Sequence, residues 1–240
     1  MTGDRGGVVA IDFLPESARR YGGDWAIVGI DIMRATTTAV TIANSGRRCM
    51  PVPSVRAAQE LAERHPEALL VGEMGGHLPD GFHLQNSPVA MEQRDDVERP
   101  AILLSSSGTR IFHEVNGAAA VYAACLRNAR AQAEYLASRH DRVALIGAGT
   151  KGEFRREDQF GCAKIAEALI TTGFVPADES TREVIARWRE APVAVCAGGR
   201  SAEYLRHTEQ LDDLDFVLTR IDDVSGVFRF AAGELVRAEL

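Results

Sequence analysis

Short apolar runs alternate with amphipathic stretches along most of this chain, which is the rhythm of a repeated strand–helix unit. Val8-Val9-Ala10-Ile11 predicts a first strand, closed by Pro15, with 17–21 as a short helical or irregular link. After the turn Gly22-Gly23-Asp24 comes Ala26-Ile27-Val28-Gly29-Ile30, an almost unbroken apolar run that predicts a strand buried on both faces of a parallel sheet. The run 39–43 predicts a helix ending at Asn44-Ser45-Gly46. Further strands are predicted over 48–53, 68–71, 100–104, 118–126 and 142–146. Helices are predicted after the cap Ser54, over 89–91 and 111–115, from the cap Asn128 to residue 139, and through Ala163, Ile165, Ala166, Leu169 and Ile170. Beyond Gly173 the pattern weakens: helices over 181–190 and 201–211, an ambiguous 212–221, and a terminal hairpin from 226–230 and 234–236. No repeat, low-complexity tract or linker interrupts it, so one α/β domain over 1–240 is expected.

The polar residues matter most where these strands end. Asp31, Arg34 and the hydroxyls of Thr36, Thr37 and Thr38 crowd into eight residues behind the strand 26–30. The carboxyl end of such a strand is where open α/β sheets hold ligands, and an arginine near a helix start suits an anion. A capped helix with a local ion pair would use the same residues, but similar clusters recur after later strands. Gly72-Glu73-Met74-Gly75-Gly76 follows 68–71, and the aperiodic loop 77–88 is long for a compact unit. It ends at Asn86-Ser87-Pro88, a cap with proline in the first turn. Ser105-Ser106-Ser107-Gly108-Thr109-Arg110 follows 100–104 and could wrap phosphate oxygens in N–H and O–H donors, or cap a helix without any ligand.

Gly147-Ala148-Gly149-Thr150-Lys151-Gly152 matches the dinucleotide fingerprint behind a strand. The acidic Glu153, Glu157 and Asp158 that follow would oppose a pyrophosphate there. Glu157 and Asp158 fit better as magnesium ligands beside a phosphate site, or as an acidic first helical turn.

Composition narrows the partners. The 240 residues carry 34 acidic against 27 basic groups, a formal charge of −7, which argues against nucleic acid and requires a local basic focus for an anionic substrate. Arg34, Arg110, Lys151, Arg155 and Arg156 are available for that. No apolar run approaches about 18 residues and no signal-like leader opens the chain, so a cytosolic protein with no membrane partner is expected. Cys49, Cys125, Cys162 and Cys196 lack metal or disulfide spacing and read as reduced core thiols. Of the histidines, only His77 and His83 fall in a stretch with functional character.

Taken in order, these motifs resemble those of the 2-phosphosulfolactate phosphatase family. The resemblance spans about 9–170, with a fainter echo at Asp222, Val224 and Ser225. It rests on Ile30-Asp31-Ile32-Met33-Arg34-Ala35-Thr36-Thr37-Thr38, Gly72-Glu73-Met74-Gly75-Gly76, Gly81-Phe82, Asn86-Ser87-Pro88, Ser106-Ser107-Gly108-Thr109, and Ala148-Gly149 with Gly152, Phe154 and Glu157-Asp158. It implies a three-layer α/β/α sandwich with a mostly parallel sheet, phosphate-monoester hydrolysis and a Mg2+ requirement. Departures are Met74 in place of an arginine, His83 and Gln85 in place of aspartate and glycine, Ser105, Ser106 and Ser107 in place of threonines and an asparagine, and Arg156 in place of a serine.

The expected site follows. Asp31, Arg34 and Glu73 are the catalytic candidates, with Glu73 as base or further metal ligand. Thr36, Thr37, Thr38, Asn86, Ser87, Ser106, Ser107, Gly108 and Thr109 would bind substrate, and Asp31, Glu157 and Asp158 would hold Mg2+. The expected substrate is a small anionic phosphate ester, and a homodimer is the default oligomer. Two rivals make different predictions: an NAD(P)-dependent oxidoreductase built on 147–152, and a non-catalytic anion-binding protein.

Overall fold

The computed structural model describes residues 6–150 and 152–239. The apolar runs become strands β1 (Val8–Asp12), β2 (Ala26–Ile30), β3 (Cys49–Val52), β4 (Leu69–Gly72), β5 (Ala101–Leu104), β6 (Ala120–Ala124), β7 (Arg142–Gly147), β8 (Val175–Pro176), β9 (Phe228–Ala231) and β10 (Glu234–Arg237). Among the described residues these form a 10-stranded sheet in the order β4-β5-β3-β10-β9-β6-β2-β7-β1-β8. β9 and β10 are antiparallel to each other and to their neighbours β6 and β3; the remaining neighbours are parallel. Their two-residue connection puts Ala232 and Gly233 at φ of 50° and 86°, as the tight hairpin turn that matches strand twist requires.

The helices are α1 (Ala35–Asn44), α2 (Val55–Arg64), α3 (Pro88–Glu92), α4 (Ala129–Arg139), α5 (Arg156–Thr171), α6 (Glu179–Trp188), α7 (Arg200–His207) and α8 (Leu211–Thr219). They cover both faces of the sheet: α4 packs with α5 and α6, α1 with α3, α8 and α7, and α2 lies on β5 and β3. This is the three-layer α/β/α sandwich with a mostly parallel sheet. Every residue of β2 is buried, as expected for a strand covered on both faces. The four cysteines are buried and unpaired. Among the described residues, no helix is long and apolar enough to cross a membrane.

Several boundaries differ from the sequence expectation for local reasons. The first helix begins at Ala35 rather than at 39, so all three threonines lie inside it. The expected helix 111–115 is a 3-10 turn over Gly108–His113. Asn128 stands at the N-cap of α4 as expected but makes no side-chain cap bond; its Oδ1 instead accepts the Cys125 N–H at 3.0 Å within another 3-10 turn. Asp178 caps α6, its side chain accepting the Thr181 N–H at 2.7 Å and starting the helix two residues early. The ambiguous 212–221 resolves as α8.

Candidate active site

The carboxyl ends of four strands are tied together by hydrogen bonds. Ala148 N–H donates to Ile30 O at 2.9 Å and joins the exits of β7 and β2, while Glu73 N–H donates to Leu104 O at 3.1 Å and joins those of β4 and β5. Ser107 Oγ lies 3.2 Å from Thr150 Oγ1, which links the two pairs. The result is one cavity of about 440 Å³ at the strand ends. Helix α7 closes over it: Tyr204 OH donates to Gly76 O on one side, and Arg200 Nη1 donates to both Glu153 carboxylate oxygens at 2.6 Å on the other.

Five carboxylates line this cavity: Asp31, Glu73, Glu157 and Asp158, and Glu153, which is paired with Arg200 and Arg155. Asp31 leaves β2, and Glu157 and Asp158 occupy the first turn of α5, where they are only 1% and 2% exposed. Burial pushes the Asp31 carboxyl up to about 7, with Glu73 and Glu157 reinforcing the shift and the Ala35 N–H and Arg34 opposing it. Burial likewise raises Asp158 well above the usual carboxylate range, with repulsion from Asp31 and Glu157 adding to it. Glu157 is raised by burial against the pull of Ser201 and the nearby arginines, and its Oε2 has no hydrogen-bond partner. A buried carboxylate oxygen without a donor is costly, and a cation is the usual remedy. Glu73 is different: its Oε1 accepts Ser106 N–H at 2.7 Å, and its Oε2 accepts Gly76 N–H at 2.7 Å and the Ser106 hydroxyl at 2.8 Å. Among the described residues, no group of three or more His, Cys, Asp or Glu side chains stands in a metal-chelating arrangement.

Arg34, 5% exposed, lines the cavity from the residue just before α1. Its Nη1 donates to Asp213 and, at 2.6 Å, to Gln210 Oε1. Arg155 and Arg200 line the same cavity. Of the other cations singled out in the sequence, Arg110 pairs with Glu16 and Glu114 and is absent from the lining, as is Arg156. Lys151 lies outside the described residues.

The hydroxyl clusters are placed differently from the expectation. Ser106, Ser107 and Asn86 line the cavity, and Asn86 Oδ1 is buried without a partner. Thr36, Thr37, Thr38, Ser87, Gly108 and Thr109 are absent from the lining. Thr36 Oγ1 accepts the Asp31 N–H at 2.8 Å and donates to Asp31 O at 2.9 Å, and Thr37 Oγ1 donates to Ile32 O at 2.9 Å, so they brace the turn that carries Asp31. Thr109 Oγ1 does the same for Ser105, accepting its N–H at 3.0 Å and donating to its carbonyl at 3.1 Å. The amides of Ser107 and Gly108 are taken by Ser105 Oγ at 3.4 and 3.0 Å, so this loop offers the cavity hydroxyls rather than a ring of free N–H groups. Gly108 serves close packing: a Cβ there would stand 2.3 Å from Asp31 Oδ2. Among the departures, Met74 is exposed with its Sδ 3.9 Å from Ser106 Oγ, and His83 Nδ1 accepts the Leu70 N–H at 2.9 Å.

The dinucleotide-like turn is occupied by its own backbone. The N–H groups of Ala148, Gly149 and Thr150 donate to Ile30 O, Phe13 O and Glu153 O at 2.9, 2.9 and 3.1 Å. A pyrophosphate would need those amides free, and helix α5 starts only at Arg156. Sequence reasoning missed Arg200, Ser201 and Tyr204 on α7, with Asp213 and Gln210 behind Arg34. Only a three-dimensional fold brings that distant, ordinary amphipathic stretch to the cavity.

A family model described as 2-phosphosulpholactate phosphatase matches residues 13–231. A protein of Deinococcus radiodurans named "Probable 2-phosphosulfolactate phosphatase" is 32% identical across 93% of this chain and 98% of its own length. Proteins of the same name from Synechococcus sp. (strain WH7803) and Pseudothermotoga lettingae are 31% and 38% identical, across 76% and 63% of this chain and 75% and 64% of their own. With the family model covering almost the whole described fold, the chain belongs to the 2-phosphosulpholactate phosphatase family of phosphoric monoester hydrolases.

Proposed function

We propose that this chain hydrolyses the phosphate ester of a small hydroxy acid, 2-phosphosulfolactate or a close analogue, with Mg2+ as cofactor. The observation that carries the reading is the single cavity in which buried, mutually repelling carboxylates face three arginines. Asp31, Glu157 and Asp158 would hold the cation; the partnerless Glu157 Oε2 supports this choice. Magnesium usually takes one or two carboxylates directly and completes its shell with water and substrate phosphate, so not all three need to touch it. When bound, Mg2+ supplies positive charge to the transferring phosphoryl group.

The chain's own residues do the rest. Arg34, its Nη1 anchored, turns its other N–H groups to the phosphoryl oxygens, where preorganised donors count most. Arg155 and Arg200, both paired with Glu153 in the cavity lining, would take the substrate's acid group through their remaining N–H groups, and Ser106, Ser107 and Asn86 orient the ester. Glu73 braces the loops after β4 and β5 through three accepted hydrogen bonds, which leave one lone-pair site on Oε1 for a base or metal contact. Asp31 acts on phosphorus or on the attacking water. Phosphate release from a panel of phosphorylated hydroxy acids, with Mg2+ and with EDTA, tests this. Release with magnesium alone is expected; no release from any panel member in magnesium would end the proposal.

A further inference from the structure

Arg34 is buried and lines a cavity that also carries five carboxylates, of which Glu153 is paired with Arg155 and Arg200, and Asp31 lies within its electrostatic reach. An arginine so placed has an obvious alternative to binding substrate: it can fold onto those carboxylates, neutralising the cation site and the anion site together. What prevents this comes from the far end of the sequence. Asp213, in the first turn of α8 and 4% exposed, accepts from Arg34 Nη1, and Gln210 Oε1 accepts from the same nitrogen at 2.6 Å. Asp213 is itself fixed: its Oδ1 accepts the Ser87 hydroxyl at 2.7 Å and the Val89 N–H at 3.2 Å. Gln210 is steadied through Nε2, which donates to Thr208 Oγ1 at 2.7 Å. Asp213 thus ties α8, the loop carrying Asn86 and Ser87, and the residue preceding α1 into one buried junction.

We infer that Asp213 is a positioning residue for phosphoryl binding: it holds Arg34 away from the cavity carboxylates and aims its free N–H groups at the phosphate. The inference rests on the reading of Arg34 as the phosphoryl clamp. An ion pair removed from water keeps its geometry only if both partners remain charged and hydrogen-bonded, so loss of the Asp213 charge frees the guanidinium rather than merely weakening it.

Binding of inorganic phosphate, measured by titration calorimetry in magnesium buffer, tests this without relying on turnover. Asp213→Asn should weaken phosphate binding at least about tenfold. Because Asp213 acts through Arg34, the double variant Arg34→Ala/Asp213→Asn should bind phosphate within about twofold of Arg34→Ala alone. A residue that only stabilised the fold would add its own loss in both backgrounds. Wild-type affinity in Asp213→Asn, or multiplying effects in the double variant, overturns the inference. If Asp213→Asn does not fold, Gln210→Ala carries the test, with about threefold weaker binding expected and wild-type binding overturning it. A wild-type protein that neither binds phosphate nor releases it from esters would instead remove the clamp reading itself, and this inference with it.

Discussion

The junction around Arg47 and the cavity around Asp31 both bury charge, and they treat it in opposite ways. Arg47, 2% exposed, donates through Nη1 to the carbonyls of Asp96 and Arg99 at 2.7 Å each and through Nη2 to Asp96 Oδ1 at 2.8 Å. Arg94 grips the same carboxylate, and Arg94 followed by Arg47 holds Asp96 well below the usual carboxylate range. At the cavity, burial with too little compensating charge holds Asp31, Glu157 and Asp158 above that range. Where the chain needs only to hold its loops, negative charge is matched by arginine. At the strand ends it is left unmatched, a local cost to stability that makes sense if something positive arrives later.

The largest expected effect separates the two regions most sharply. Asp31→Asn should lower turnover at least about a hundredfold while raising the melting temperature of the metal-free protein by a few degrees, because a buried charge has been removed. Activity and calorimetry on one preparation check both halves; a fall in melting temperature would show that the Asp31 charge is already compensated. Arg47→Ala should do the reverse, costing about 2–4 kcal/mol in urea unfolding and leaving turnover within about twofold.

Stability as a function of pH, measured in EDTA, gives a smaller but signed effect. Asp31 has a raised folded-state pKa, so its contribution is fully present below its unfolded value of about 4 and is lost as pH rises towards about 7. Asp96 has a lowered one, so its contribution is present above about 4 and is lost as the solution becomes more acid. Asp31→Asn should flatten the curve between about pH 4 and 7, and Asp96→Asn should flatten it below about 4; the opposite assignment would break the comparison. Smallest of all, Arg48→Ala should change stability by less than about 1 kcal/mol, because its bond to Glu234 at 2.6 Å is half exposed.

Strand exits were the legible part of this molecule. Asp31, Glu73, Ser106, Ser107, Glu157 and Asp158 stand out in the sequence because each follows a buried apolar run, and they share one cavity. The threonines were ambiguous for a physical reason: a hydroxyl that wraps a phosphate and one that satisfies a nearby backbone look alike in sequence, and Thr36, Thr37 and Thr109 bond the backbone in this structure. Arg200, Tyr204 and Asp213 were illegible for the opposite reason. On a short amphipathic helix any polar residue reads as solvent-facing; only the fold brings Tyr204 and the exposed Arg200 to the cavity lining and buries Asp213 against Arg34. The glycine turn 147–152 shows the limit of a motif, since its spacing fits a dinucleotide while the amides of Ala148, Gly149 and Thr150 are already bonded within the fold.

The most direct test is thermal melting against increasing Mg2+ for the wild-type protein and for Asp31→Asn and Asp158→Asn. If the unmatched carboxylates are reserved for a divalent cation, the wild-type melting temperature climbs with magnesium while both variants stay flat. An equal climb in all three proteins, or none in the wild type, would contradict that claim.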